Sequence, residues 1–374
     1  MKVLLIRGRA IDPAVNKVAR TLAENGYDVK LLVWDRQHNL DAGGGEGYAV
    51  HTFRLKAPYD RATVLFYLPI WWMYELWFLL RNRCDVIHAC DLDTLIPAIL
   101  AKLVKRVRLC YTIYDFYANN LPDGRLQPVR RLIRRLVAGV ERSGIRFTES
   151  LFLVDESRYE DVRGARIKKL AYTYNSPPDY YDPENELRGR EGAETSVFYA
   201  GGLTDMRGLK YVMSAIARLD GVVLTIAGTG PAKDSVIRAT RRCPRIQYLG
   251  QIPYEVVINR SLEADILFAF YDPMIPVSRF ASPNKLFEAM MCGKPIIVSD
   301  GSSMADIVRK ENCGLVVPYG DAKAIEAALL SLKNHPDLRQ RLGQNGRRAY
   351  EQKYSWRIME RRLVDAYEQI LSKS

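Results

Sequence analysis

Histidine is scarce. There are four in 374 residues, at positions 38, 51, 88 and 335, and none has a carboxylate or cysteine neighbour at ligand spacing. The six cysteines include no C-x-x-C pair. Together these shortages leave no candidate metal site and no disulfide framework, and scattered thiols suit a reducing, cytoplasmic setting. No G-x-G-x-x-G, Walker loop or G-x-S-x-G elbow occurs, so those fingerprints of dinucleotide, nucleoside triphosphate and hydrolase chemistry are missing. The opening MKVLLIRGR is short, charged and strand-like, unlike a signal peptide. Only residues 62–80 approach the length of a membrane span, and Pro69, Glu75 and the interspersed Trp71, Trp72, Tyr74 and Trp77 argue against one. A core helix and a helix at a bilayer interface are the two other readings.

What the chain has in excess is positive charge. The formal net charge is +12, and residues 1–150 hold 23 Lys+Arg against 15 Asp+Glu. That balance suits anionic lipid, nucleic acid or a phosphorylated substrate. Residues 125–146 carry seven Arg and one Glu around an apolar face of Val129, Leu132, Ile133, Leu136, Val137 and Val140. Such a helix either lies on anionic membrane or packs its apolar side on a sheet. Interleaved aromatics are missing there, which speaks against nucleic acid.

The pattern is one of alternation. Apolar, β-branched runs at 2–8, 28–34, 48–55, 85–90, 108–115 and 150–155 are separated by helical periodicity. A charged segment, 184–195, has none and marks a domain boundary. Six more strands follow at 196–202, 222–228, 245–250, 265–271, 294–300 and 314–320. This predicts an α/β chain of two doubly wound, Rossmann-like domains, 1–184 and 195–353. The glycine-rich 41–47 reads as a structural loop. Gly8, Asp91 and Asp115 end strands and should share one sheet edge, where open α/β sheets bind ligands.

Three turns in the second half run from strand through glycine or proline into a helix. YAGGLTDMRG contains Gly201, Gly202 and Arg207, whose guanidinium can hold two phosphate oxygens. IAGTGP contains Gly228. SPNKLFEAMMCGKPIIVSD (282–300) starts a helix at Pro283 and carries Glu288 about a turn inside. Free N–H groups at a helix start attract anions, and a carboxylate can accept from a pair of sugar hydroxyls. Phosphate beside sugar suggests a nucleotide-sugar pocket.

Taken together, DVIHACD (85–91), CYTIYDFY (110–117), YAGGL…RG, IAGTGP, YLGQIP (248–253), PNKLFEAMMCGKPIIVSD and the ending YSWRIMERRLVDAY (354–367) resemble glycosyltransferase family 4. The likeness covers nearly the whole chain, and its last half is the more specific. It implies the GT-B fold with an interdomain cleft, and a C-terminal helix, 354–374, that crosses back to the N-terminal domain. It also implies sugar transfer from a nucleoside diphosphate sugar with retained configuration and without metal or cofactor. On this likeness Arg207 faces the diphosphate and Glu288 holds the ribose. Asn284, Lys285 and Leu286 meet the phosphate and donor sugar, and Lys285 joins Arg207 in stabilising the leaving charge. Ile252 meets the base, and Gly202 and Gly228 line the donor. Asp115 matches a family aspartate. Gly8, Asp91 and Tyr114 belong to the acceptor side. The chain departs from the family at Phe280, Gly202 and Tyr114, where a glutamate, an arginine and a histidine are usual. Asp272, Ser278 and Ser282 are then candidates for the donor sugar's hydroxyls. The expected acceptor is a lipid-linked or cell-surface glycan, and the hydrophobic 62–80 and basic 125–146 are the segments available to meet an anionic membrane. A nucleotide-sugar epimerase and a non-catalytic membrane-bound adaptor are the rival readings.

Overall fold

The computed structural model describes all residues except 11, 39–44, 46, 59–61, 121–126, 183–193, 276–283 and 373–374. The loop at 41–47 therefore lies mostly outside the described residues, as do Ser278, Phe280 and Ser282.

Two parallel sheets organise the chain. The first runs through β1 (Lys2–Arg7), α1 (Pro13–Glu24), β2 (Asp28–Asp35), β3 (Ala49–Arg54), α2 (Leu68–Arg81) and β4 (Val86–Cys90). It continues with α3 (Leu92–Lys105), β5 (Arg108–Ile113), α4 (Gln127–Ile145), β6 (Ser150–Leu153), α5 (Tyr159–Val162) and β7 (Leu170–Tyr172). Its strand order is β3-β2-β1-β4-β5-β6-β7. Val3 of β1 sits beside Val29 and Val86 in register. Both faces of such a sheet are covered by crossover helices, so its central strands are apolar throughout. Val3, Leu5 and Ile6 are accordingly buried. The short strand β7 has no clear sequence signal.

The second sheet comprises β8 (Thr195–Ala200), β9 (Val222–Ala227), β10 (Ile246–Tyr248), β11 (Ile266–Ala269), β12 (Ile296–Ser299) and β13 (Gly314–Val317), in the order β10-β9-β8-β11-β12-β13. Its helices are α6 (Leu209–Ile216), α7 (Lys233–Arg242), α8 (Tyr254–Glu263), α9 (Asn284–Met291), α10 (Ser303–Glu311), α11 (Ala322–Asn334) and α12 (Pro336–Ala349). Both orders reverse direction once, between β1 and β4 and between β8 and β11. These are the switch points where doubly wound sheets bind ligands.

The chain divides into two compact units, Met1–Tyr174 with Met359–Ser374, and Asn175–Ile358. The boundary thus falls earlier than the charged segment suggests. Residues just after Tyr174 are tied forward. Arg347 donates two hydrogen bonds of 2.7 Å to the carboxylate of Asp179, and Tyr350 Oη donates to Pro177 O at 2.9 Å. The final helix, α13 (Trp356–Leu371), joins the first unit from Met359 onward. There Glu360 accepts from Asn25 at 2.9 Å, and Tyr367 Oη lies 2.7 Å from His88 Nδ1.

That contact gives His88 a structural role. Its Nε2 meets Thr112 Oγ1 at 2.7 Å, and burial lowers its pKa to about 3.

Within the first unit, α3 packs beside both α2 and α4. Trp71 and Trp72 of α2 both donate to Asp93 O of α3, at 3.1 and 2.9 Å. Helix α4 differs from a sheet-packed amphipathic helix. Its apolar residues Val129, Leu132, Ile133, Leu136 and Val140 are exposed, while Ala138, Glu141, Gly144 and Ile145 are buried. The reason is close packing: a Cβ added at Gly144 would lie 2.7 Å from Leu95 Cδ2.

Candidate active site

The site lies at the C-terminal ends of β8 and β9 and the start of α9, all within the second unit. The turns after β8 and β9 pack backbone to backbone. Gly201 N donates to Ala227 O at 3.0 Å, and Leu203 N donates to Thr229 O at 2.9 Å. A Cβ at Gly228 would lie 1.9 Å from Gly201 O, and one at Gly230 would lie 2.4 Å from Leu203 O. Both have positive φ, +129° and +151°. Glycine is therefore demanded twice over, by space and by backbone conformation. Gly228 N also donates to Gly250 O at 2.7 Å, which joins the loop carrying the half-buried Ile252 to the same turns. Gly202 is different. It is exposed, and a Cβ there would meet nothing within 4 Å.

Two cations are seated on aromatic rings beside these turns. The Arg207 guanidinium carbon lies 3.7 Å from the centroid of Tyr271, just after β11. Lys285 Nζ lies 5.1 Å from the centroid of Tyr199, in β8. Tyr199 is itself pinned, since its Oη donates to Gly202 O at 2.9 Å. A ring face attracts a cation electrostatically but neutralises none of its charge. Among the described residues, no carboxylate lies within ion-pair distance of Arg207 or Lys285, and Arg207 Nη1 is buried without a hydrogen-bond partner. Burial lowers the pKa of Arg207. Burial also lowers that of Lys285, to about 8, with the Glu288 carboxylate pulling it up and Arg207 pushing it down. Arg207 and Glu288 both act on the Lys285 charge, and Tyr199, under the Lys285 amine, acts on Arg207, so the three groups face one hollow. A Cβ at Gly201 would come within 2.5 Å of Lys285 Nζ, so the amine hangs directly over the glycine turn.

Helix α9 presents the third element. Asn284, Lys285 and Leu286 form its first turn, whose N–H groups have no intrahelical acceptor. The Leu286 side chain points into the core and is fully buried, so only its backbone can serve the site. Glu288 is buried rather than solvent-facing, and Tyr254 Oη donates to its Oε1 at 3.0 Å. Burial, then the Glu288 charge, raises the Tyr254 pKa. Tyr199, Tyr254 and Tyr271 were not singled out by sequence. Each meets its partner across a long chain separation, which no local spacing records.

The strand-end residues of the first unit gather at their own switch point. Asp91 accepts from Tyr114 N at 2.7 Å, from Asp115 N at 3.1 Å and from Arg7 Nη1. It holds a left-handed φ of +66°, rare for a residue with a side chain. Burial raises its pKa to about 6, against the pull of Arg7. Three N–H donors make it a bracket between β4 and the loop after β5. The Tyr114 ring lies 4.9 Å from the Arg7 guanidinium carbon. Asp115 accepts from Arg158 at 3.3 Å. Gly8 has no room for a side chain, because a Cβ there would lie 1.8 Å from Asp93 Oδ2.

Two family models match the chain. The first, glycosyl transferase 4-like domain, covers residues 9–172, and the second, glycosyl transferases group 1, covers residues 185–349. The chain belongs to glycosyltransferase family 4. Among relatives of this glycosyltransferase, the alpha-D-kanosaminyltransferase of Streptomyces kanamyceticus is 24% identical over 87% of this chain and 90% of its own length. The phosphatidyl-myo-inositol mannosyltransferase of Mycobacterium leprae is 27% identical over 50% of this chain, and the match spans 49% of that protein. A sucrose-phosphate synthase of Thermosynechococcus elongatus superposes over 100% of both chains with a TM-score of 0.78 at 17% identity. Anabaena HepE, solved with UDP-glucose, covers 99% of this chain and 100% of its own with a TM-score of 0.70 at 14% identity. The structural likenesses show the GT-B fold.

Proposed function

We propose that this glycosyltransferase moves a sugar, with retention of configuration, from a nucleoside diphosphate sugar to a hydroxyl of a lipid-linked or cell-surface glycan. The observation that carries the reading is the pair Arg207 and Lys285, two cations over glycine turns with no carboxylate neighbour in ion-pair range among the described residues. A diphosphate supplies the missing charge. The departing diphosphate gains negative charge as the glycosidic bond breaks. Arg207, Lys285 and the first N–H groups of α9 stabilise it, in a dry site where such donors act strongly. The reacting carbon becomes oxocarbenium-like. The acceptor hydroxyl attacks from the side of the leaving group, whose phosphate takes the proton. Glu288 grips the ribose hydroxyls, with Tyr254 holding the carboxylate in place until donor arrives. Gly228 and Ile252 lie along the nucleotide, and Ser282 and Asp272 are retained as partners for the sugar's hydroxyls. The reaction needs no metal, and the protein works at the cytoplasmic face of a membrane. Asp115, Asp91, Gly8 and Tyr114 belong to the acceptor side, with Asp91 acting through the loop it brackets.

Thermal protection by a panel of UDP-, GDP- and ADP-sugars tests the donor class, because a ligand that binds only the folded state raises its stability. Glu288→Ala should raise the donor KM roughly ten- to a hundredfold, the loss of charge-assisted hydrogen bonds worth about 1.5–3 kcal/mol, and spare kcat. An unchanged KM removes Glu288 from the ribose. Donor turnover without any acceptor converts the reading to an epimerase, and no protection by any nucleotide sugar converts it to an adaptor.

A further inference from the structure

The exposed large apolar side chains of the first unit are not scattered. Nearly all lie on α2, on the turn before it, on α3 and on α4. Helix α2 turns outward Ile70, Met73, Trp77 and Leu80, a stripe at spacings of three and four residues. Leu65 and Phe66 precede it, Phe66 being 81% exposed. Helix α3 turns outward Leu100, Leu103 and Val104, the last 70% exposed. Helix α4 adds the apolar face described above. Between α3 and α4 runs an apolar groove of about 510 Å³, lined by Leu95, Ile99, Leu100, Leu136, Val140 and Phe147 among others. Single exposed apolar residues are ordinary, but a contiguous layer marks a surface meant to be covered.

Charge decides what covers it. The three helices hold three carboxylates, Glu75, Asp93 and Glu141, and all three are buried. The outward faces are left with apolar residues and cations. Arg81, Arg83, Arg106, Arg131, Arg135 and Arg146 are exposed around them. The Arg81 guanidinium carbon lies 5.8 Å from the exposed Trp77 ring. A second copy of this chain would bring the same cations against themselves. An anionic bilayer complements both features at once.

We propose that the outer layer of α2, α3 and α4 is a docking face for an anionic phospholipid surface. The apolar stripes enter the boundary between headgroups and acyl chains, and the arginines meet lipid phosphates. This rests on the lipid-linked acceptor of the proposed function and adds the surface that carries the enzyme to it.

The full chain is sedimented with vesicles of phosphatidylglycerol and phosphatidylcholine, and with phosphatidylcholine alone. It should pellet with the first and stay in solution with the second. Leu132→Ser/Leu136→Ser/Val140→Ser should abolish pelleting. Arg131→Gln/Arg134→Gln/Arg135→Gln should weaken it about a hundredfold, at roughly fivefold per arginine. Tryptophan emission should shift to the blue on vesicle binding, and Trp77→Phe should remove most of that shift while pelleting persists. The proposal is overturned if the wild-type chain ignores anionic vesicles, or if the apolar triple variant pellets like wild type. It is equally overturned if the wild-type chain is a dimer that the same variant dissolves and no lipid is bound. Nucleotide-sugar protection, measured on the same samples, reports the second unit alone, so loss of docking and failure of the donor reading are separable.

Discussion

The two units share a winding and differ in where they put charge. In the first, buried carboxylates sit behind an outer layer of cations and apolar side chains. Its buried cations are paired, Arg7 with Asp12 and Asp91, Arg158 with Asp115 and Asp161. In the second, the partly buried cations Arg207 and Lys285 face a hollow with aromatic seats and no paired acid among the described residues. Its helices turn outward few large apolar groups, chiefly Tyr254 and Val256 on α8. Paired buried charges hold a fold together, whereas unpaired ones wait for a ligand, because an uncompensated charge away from water is costly. The contrast underlies both proposals, a small anion in the second unit's interior and an extended anionic surface at the first unit's exterior.

The strongest test of that contrast is Arg207→Ala. If the guanidinium exists to meet developing phosphate charge, kcat should fall about 10²- to 10³-fold, some 3–4 kcal/mol of transition-state stabilisation. The folded state should lose little, since no carboxylate is left stranded. Steady-state kinetics with saturating donor, beside chemical denaturation, reads both. Wild-type turnover with lowered stability would make Arg207 a structural residue and erase the difference between the units.

A smaller effect should follow from Lys285. Burial lowers its pKa to about 8, so its charge is present below that pH and lost above it. The donor kcat/KM, which reports the free enzyme, should therefore fall as pH rises through about 8, and level off within about tenfold if Arg207 carries the rest. Lys285→Arg should remove this limb by keeping the charge. Bound diphosphate favours the protonated amine, so the limb in kcat should lie at higher pH than the limb in kcat/KM. A profile unchanged by Lys285→Arg would deny the amine its role.

Much of this was legible in the sequence. Alternating strands and helices announced two doubly wound sheets, and strand-to-helix turns made Arg207 and Glu288 candidates. These signals are local, set by turn conformation and by the period of apolar residues. The aromatic seats were not legible, because Tyr199, Tyr254 and Tyr271 meet Lys285, Glu288 and Arg207 only through the sheet order. The direction of α4 was not legible either. Periodicity finds an apolar face but not which side a neighbour covers. Here Gly144, not the leucines, fits against Leu95 and Ile99 of α3, and Glu141 accepts from Tyr111 of β5. The boundary near 174 hinged on Asp179 meeting Arg347, 168 residues apart.

The smallest effect concerns Glu75, and it tests whether the first unit's buried acids are charged. Glu75 is fully buried, and neither oxygen has a hydrogen-bond partner among the described residues. Burial first, and the nearby Asp93 second, raise its pKa well above the ordinary carboxylate range. The folded protein thus keeps the proton that the unfolded chain gives up near pH 4.5. Folded states that bind more protons lose stability as pH rises. Glu75 should therefore contribute a decline in unfolding free energy from that pH towards neutrality. Glu75→Gln has no proton to lose, so it should flatten the decline and stabilise the protein by about 1–3 kcal/mol at neutral pH relative to its effect in acid. Denaturant titrations across that range measure the slope. Vesicle affinity should not change, because a neutral group behind the helices casts no field on lipid. If Glu75→Gln instead tightens vesicle binding and leaves the pH slope as it was, the buried acid is ionised, and the first unit's outward positive character is weaker than its surface residues imply.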